Sequence, residues 1–92
     1  MHVKRILLPY LTETPVTFEK KGSAYVVCNY TKQPIYVAFG ENIEEDLSNT
    51  VKIPAGFYRT VASRFSELGA ETKTLYIVGF GTGIVEVQQV LW

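Results

Sequence analysis

The sequence is poor in the residues from which most catalytic and metal sites are built. Its 92 residues include one histidine, one cysteine, one methionine and one tryptophan. A single cysteine excludes an internal disulfide and any multi-cysteine metal site. The histidine, His2, lies near the start of the chain, a poor place for a Ser-His-Asp or Cys-His device, which needs a positioned imidazole. We therefore predict a protein that is not an enzyme and that has no metal ligands and no cofactor.

The sequence also lacks an excess of charge and any long apolar run. Lys plus Arg and Asp plus Glu number nine each, so the formal net charge is zero. Nucleic-acid binding normally requires a basic face, so we expect no DNA or RNA partner. Weak repulsion between copies favours association. No run approaches the roughly 20 apolar residues of a membrane helix, and residues 6–8 are too short a stretch for a signal peptide. We expect no membrane partner.

β-branched and aromatic residues dominate what is present. Val, Ile and Thr number 11, 6 and 9, Tyr and Phe add 11 more, and Ala occurs only five times. Such residues suit a pleated surface and lose rotamer freedom in helices. They form seven short runs, most of them alternating, which end at Gly, Pro, Asn or Thr. We predict one all-β domain over residues 1–92: a small antiparallel β-sandwich or barrel of about seven short strands, with an extended N-terminal segment.

Two turn sequences predict hairpins. Residues 31–34 (TKQP) separate the runs 23–30 and 35–39, so we expect these runs to pair with a four-residue connection. Residues 79–83 (GFGTG) predict a tight glycine hairpin, and not a phosphate-binding loop, because no Lys-Ser/Thr pair follows. Residues 29–31 match a glycosylation sequon, which we interpret as the start of a turn. Cys28 is expected to face inward as a small buried hydrophobe.

Two segments lack a clear strand pattern. In residues 41–48, Asn42 followed by Glu45 resembles a capping box and predicts one helical turn. Residues 63–68 are expected to form a helical turn or a loop. The acidic residues at 41–46 lack the glycine of a calcium loop, so we interpret them as a solvated loop. A contact with a basic patch of another copy is a refinement of that interpretation; the patch would contain Lys4, Arg5, Lys20 and Lys21.

Several strands are apolar on both faces, whereas an exposed sheet face is normally polar. The second face of the two central runs carries aromatic and aliphatic side chains. Near the end of the chain, the polar Glu86 and Gln88 are followed on the same strand face by the apolar Val90 and Trp92. An aromatic side chain such as that of Trp92 has ~150–250 Å² of surface to bury. We therefore expect a homo-oligomer that buries these faces against other protein surfaces. The predicted interface anchors are Tyr25, Tyr36, Val90 and Trp92.

The six tyrosines leave a second interpretation open. Aromatic rings stack on sugars as well as on bases, although nucleic-acid binders pair them with a positive groove. Tyrosine is also enriched at protein interfaces, because it is amphipathic and loses little entropy on ordering. We prefer the protein interface and keep a carbohydrate- or ligand-binding β-sandwich module as the alternative. A small enzyme is a third hypothesis, but no spacing singles out a carboxylate pair.

Four segments share a pattern of strands, turns and glycines: residues 26–31 (VVCNYT), 35–40 (IYVAFG), 52–56 (KIPAG) and 81–89 (GTGIVEVQQ). Together they resemble structural proteins of tailed-bacteriophage virions, over residues 23–92. The resemblance implies a β-sandwich structural component of a virion, such as a capsid decoration, head-fibre or neck protein. Such a protein is made in the bacterial host cytoplasm and assembles with copies of itself and other virion proteins. The resemblance implies no functional residue. Residues 1–20 do not match, and one interpretation is an arm that docks on a neighbouring subunit.

Overall fold

The computed structural model describes residues 2–22, 24–39, 43, 47–62 and 72–90. This part of the chain forms eight strands and no helix: β1 (His2–Leu8), β2 (Thr14–Gly22), β3 (Ala24–Asn29), β4 (Ile35–Ala38), β5 (Val51–Ile53), β6 (Tyr58–Ala62), β7 (Thr72–Gly79) and β8 (Gly83–Val90). The predicted all-β class is confirmed, with one strand more than expected. The helical turns predicted at 41–48 and 63–68 lie outside the described residues, apart from positions 43, 47 and 48. Within these ranges no helix could span a membrane.

The strands form two four-stranded sheets, and every pairing is antiparallel. The first sheet has the order β1-β8-β3-β6 and the second has the order β2-β7-β4-β5. β1, β3, β6 and β8 lie in the first sheet, so most connections cross from one sheet to the other. This order of eight strands in two sheets is that of a jelly roll, an all-β architecture that occurs in viral capsid and lectin domains.

Both predicted hairpins are wrong, because each pair of strands is divided between the sheets. β3 pairs with β6 and β8, whereas β4 pairs with β5 and β7. β7 and β8 likewise lie in different sheets. A short turn sequence is compatible with either arrangement, since an alternating pattern reports which face is buried and not which strand lies alongside.

The first 20 residues belong to the sandwich and do not form a separate arm. β1 pairs with β8 residue by residue from His2 to Leu8. β2 pairs with β7, with a break in register between Thr17 and Gly22. The physical reason is burial: Leu8 is part of the core, and Ile6 packs against it. Residues 2–8 therefore form an edge strand of the first sheet and not a docking arm.

The core lies between the two sheets and takes one face of each strand. Tyr25 is fully buried there, with its ring centroid 5.6 Å from that of Phe18 and 6.0 Å from that of Phe39. Val27 is buried on the same face, whereas Cys28 is half-buried on the outer face of the first sheet. The inward position predicted for Cys28 is therefore wrong. Because both faces of β3 are apolar, the alternation could not tell which face is inner, and the bulkier pair fills the core.

Candidate interaction surface

Exposed apolar side chains are concentrated at one end of the sandwich. Among the described residues, nine large apolar side chains are exposed, and Val3 is the one that lies elsewhere. The other eight are Leu7, Tyr10, Leu11, Tyr30, Phe57, Tyr58, Phe80 and Ile84. We call this surface the loop end. It consists of these eight residues and of four connections, namely residues 9–13, 30–34, 54–57 and 80–82.

The strand pairings bring these four connections together. The last residue of β1, Leu8, is opposite Gly83, the first residue of β8. In the second sheet, the first residue of β4, Ile35, is opposite both Gly79, the last residue of β7, and Ile53, the last residue of β5. Connections that alternate along the chain therefore lie side by side in space, as the jelly-roll order requires.

The side chain of Asn29 holds the connection after β3 in shape. Its Nδ2 donates hydrogen bonds to the carbonyl oxygens of Gln33 (2.9 Å) and Ile53 (3.0 Å). Its Oδ1 accepts one from the backbone N–H of Thr31 at 2.9 Å. The Thr31 hydroxyl oxygen lies 2.7 Å from both Asn29 Oδ1 and the Gln33 carbonyl oxygen. Asn29 is therefore a buried turn residue, as predicted, and its amide is occupied within the fold.

Backbone hydrogen bonds tie the connections to one another. Asn29 exchanges two of them with the β5–β6 connection: its N–H donates to Phe57 O and its carbonyl accepts from Gly56 N–H, both at 2.9 Å. Tyr30 N–H donates to Ile84 O at 3.1 Å, and Leu11 N–H donates to Gly79 O at 2.9 Å. The aromatic side chains of the loop end thus project from a backbone that is held in place, and little ordering entropy is left to lose on binding.

Close packing at glycine adds to this rigidity. A Cβ at Gly83, whose φ is +151°, would lie 3.0 Å from Thr31 Cγ2. A Cβ at Gly81 would lie 3.0 Å from Gln33 Cγ. The β3–β4 and β7–β8 connections therefore touch without room for another side chain. Leu11 has a φ of +50°, a left-handed conformation that is uncommon for a leucine.

A small polar network lies behind the loop end, on the outer face of the first sheet. Arg5 Nε donates to Glu86 Oε1 at 2.7 Å, and Gln88 Nε2 donates to Glu86 Oε2 at 2.9 Å. These two hydrogen bonds lower the pKa of the Glu86 carboxyl, the one from Gln88 most. Burial raises the pKa of the neighbouring Cys28 thiol, and the Glu86 charge raises it further, against a hydrogen bond with Tyr30. The thiol therefore stays protonated at neutral pH and is a poor nucleophile.

The loop end can bind a partner by apolar contact and by stacking of its aromatic rings. Five of its eight exposed side chains are aromatic, and the exposed charged residue on these connections is Lys32. No group of three or more His, Cys, Asp and Glu side chains that could hold a metal ion is found within the described ranges. A rigid surface rich in Tyr and Phe and poor in charge matches the composition of the buried centre of protein interfaces.

The structure places the four predicted anchors in different surroundings. Tyr25 is in the core and cannot contact a partner, so that prediction is wrong. Tyr36 is half-buried on the outer face of the second sheet, where its ring meets that of Phe80 edge-on at 5.6 Å. Val90 is half-buried at the far end of β8, opposite Ala24. Trp92 lies outside the described residues. Of the three anchors that the structure describes, Tyr36 alone borders the loop end.

Sequence reasoning missed most of the loop end, although a signal was present. An aromatic residue directly follows a turn-forming residue in each of the four connections. The pairs are Pro9-Tyr10, Asn29-Tyr30, Gly56-Phe57 and Gly79-Phe80. Interpreted singly, each pair marks the edge of a strand. Their common feature becomes meaningful once the topology brings the four connections to one end.

Comparisons with known proteins identify no relative of this chain. No protein-family model, no curated protein and no solved structure matches this chain.

Proposed function

We propose that this chain is a non-enzymatic structural component of a tailed-phage virion that attaches to another virion protein through its loop end and assembles in several copies. The observation that carries the proposal is the concentration of eight of nine exposed large apolar side chains at one rigid end. The assignment to a virion is supported by the sequence resemblance over residues 23–92 and by a strand order that capsid proteins use.

Exposure of this kind is unfavourable for a protein that functions alone. Soluble monomers rarely expose contiguous apolar patches larger than a few hundred Å², and larger ones mark interaction sites. A fully exposed aromatic side chain has ~150–250 Å² of surface to bury, those of the loop end are 44–73% exposed, and a specific interface buries ~800 Å² per partner. The five aromatic side chains of the loop end are therefore enough to form the centre of such an interface.

A carbohydrate ligand is the second candidate, and a different feature of the loop end favours it. Tyr30 and Tyr58 are both exposed near one another, Tyr30 after the end of β3 and Tyr58 opposite Cys28 of the same strand. Sugar rings stack on such exposed aromatic faces, and lectin domains share the jelly-roll architecture. We rank it second because the sequence resemblance over residues 23–92 favours a virion component.

The test begins with virions of the phage that encodes the chain. Purified particles are analysed by quantitative peptide mass spectrometry, and we expect this chain in fixed stoichiometry to the major capsid protein. The double variant Phe57→Ser/Tyr58→Ser should fold but be lost from particles. Val3→Ser, an exposed apolar residue away from the loop end (49%), is the matched control and should be retained.

Two results would remove the proposal. One is the absence of the parent chain from purified particles. The other is full incorporation of the Phe57→Ser/Tyr58→Ser variant. Saturable binding on a glycan array, lost in the same double variant and kept in Val3→Ser, would promote the carbohydrate module in its place.

A further inference from the structure

Four strands form the edges of the two sheets, and three of them are poor templates for another strand. β2 contains Pro15 and loses its register with β7 between Thr17 and Gly22. β5 has three residues and β6 has five. Proline, irregular register and short length are the means by which natural sheets prevent pairing at their edges.

β1 has no proline, no break in register and no short length, and its protection against edge pairing is limited to the charges of Lys4 and Arg5. Its seven residues pair with β8 in one unbroken register, and they include neither proline nor glycine. Among the described residues, no strand lies on its other side. Backbone N–H and C=O groups along that side are therefore available to a further strand. A long, regular edge of this kind selects an extended partner chain, added by backbone hydrogen bonds.

The side chains of β1 decide which partner fits. Val3, Arg5 and Leu7 lie on the outer face, because Leu7 is exposed and Leu8 is buried. Lys4 and Ile6 lie on the inner face, where the Lys4 ammonium is 5.5 Å from the centre of the Phe18 ring. A second copy that extends the sheet about a two-fold axis must keep the outer faces on the same side. With at least five residues overlapping, the registers allowed are those centred on Lys4, Arg5 or Ile6.

Charge separates these three registers. A centre on Lys4 or on Arg5 places that residue directly opposite its own copy, and like charges in that position are destabilising. A centre on Ile6 places Ile6 opposite Ile6, Arg5 opposite Leu7, and Lys4 opposite Leu8. No like charges then face each other, and two β-branched side chains meet at the axis, which is a favourable cross-strand pair.

We propose that two copies of this chain pair antiparallel through β1, in the register centred on Ile6, and join their first sheets into one sheet of eight strands. The inference rests on the part of the proposed function in which copies associate. It uses the edge strand β1, which shares Leu7 with the loop end. Because the two β1 strands run in opposite directions, the two loop ends of the dimer point in opposite directions.

Cysteine cross-linking measures the register. In a Cys28→Ala background, Ile6→Cys alone, a mixture of Val3→Cys with Leu7→Cys, and a mixture of His2→Cys with Ile6→Cys are oxidised, and the heterodimers are identified by mass; every variant keeps Lys4 and Arg5. Directly opposite residues have Cα atoms ~4.5–5.5 Å apart, within the span of a disulfide. Val3 is opposite Leu7 only in the register centred on Arg5, and His2 is opposite Ile6 only in the register centred on Lys4. In the proposed register position 3 is offset from position 7 of the other copy by ~7 Å along the strand, and position 2 from position 6 by ~14 Å. We expect rapid cross-linking between two copies of Ile6→Cys. Faster formation of either heterodimer would overturn the register.

A charge pair tests the same contact without cysteine. Leu7 is 72% exposed, and in the dimer it lies opposite Arg5 of the second copy. The two-fold axis gives two such pairs in each dimer. By sedimentation equilibrium we expect Leu7→Lys to raise the dimer dissociation constant about tenfold, and Leu7→Glu to leave it equal or lower. Thr60→Lys, also at an exposed position but on β6 at the opposite edge of the sheet and outside the loop end, should have no effect.

Two outcomes would contradict the pairing. Equal weakening by Leu7→Lys and Leu7→Glu would show that charge opposite Arg5 plays no part. A parent chain that is monomeric at every concentration would overturn the dimer. If that monomer were still found in purified virions, the proposed virion role would stand without the pairing, so the two failures are distinguishable.

Discussion

Replacing Asn29 with alanine tests how the loop end is held in shape. Alanine removes the two hydrogen bonds that Nδ2 donates, to Gln33 O and Ile53 O, and the one that Oδ1 accepts from Thr31 N–H. The site is 1% exposed, so water cannot readily replace the lost partners. The variant therefore leaves buried backbone groups without the side chain that satisfied them.

The magnitude follows from these three hydrogen bonds. At about 1 kcal/mol each, the free energy of unfolding should fall by about 3 kcal/mol, a large share of the ~5–15 kcal/mol of a typical domain. With an m-value of ~1–3 kcal/mol per molar urea, the midpoint of urea unfolding, followed by far-UV circular dichroism, should fall by about 1–3 M. Because the lost side chain also holds the connection that carries Tyr30 in shape, binding at the loop end should weaken as well.

The control is Lys52→Ala, which truncates an exposed side chain of β5. A surface change of this kind normally alters stability by less than ~0.5 kcal/mol. A loss below ~1 kcal/mol for Asn29→Ala, or one equal to that of Lys52→Ala, would show that the Asn29 side chain does not hold the connections in shape.

Three further predictions concern the core and the outer face of the first sheet. Gly79→Ala should cost about 1–3 kcal/mol in urea unfolding, because its Cβ would lie 2.8 Å from Leu8 Cδ2 and 3.2 Å from Ile35 Cγ2; an unchanged midpoint would contradict this packing. The pKa of Glu86 is lower in the folded chain than its ordinary value of 4.5, so the ionised carboxylate stabilises the fold above pH 4.5 and loses that effect as the pH falls. Glu86→Gln should therefore be less stable than the parent at neutral pH, by a difference that shrinks below pH 4.5. A difference that stays the same at every pH would contradict this. Cys28 should react with iodoacetamide more slowly than a free cysteine at the same pH and faster after Glu86→Gln, since both burial and that charge raise the thiol pKa; equal rates in the two proteins would count against the contact.

The class of fold could be predicted from the sequence, but the pairing of strands could not. Alternation of apolar residues reports burial, so it located most of the strands and predicted an antiparallel sandwich or barrel. The partner of a strand depends on contacts distant in sequence. β3 and β4 are separated by five residues, yet β3 lies between β6 and β8. The same limit explains Cys28, since an apolar pattern on both faces of a strand does not say which face is inner.

The abundance of aromatic residues was evident from the sequence, but the positions of the exposed ones were not. The excess of tyrosine suggested an interface, and the structure does expose aromatic side chains. The predicted anchors came from strand faces, where Tyr25 turned out to complete the core. Tyr30 was assigned to a strand that ends one residue earlier. Only the topology shows that aromatic residues after turns in alternate connections form one surface.

Hydroxyl-radical footprinting, in the isolated chain and in purified virions, measures directly whether the loop end is buried against another virion protein. We expect oxidation of Tyr30, Phe57 and Tyr58 to be high in the isolated chain and to fall several-fold in the particle. Particles that contain the chain but leave these three side chains as reactive as in solution would contradict it.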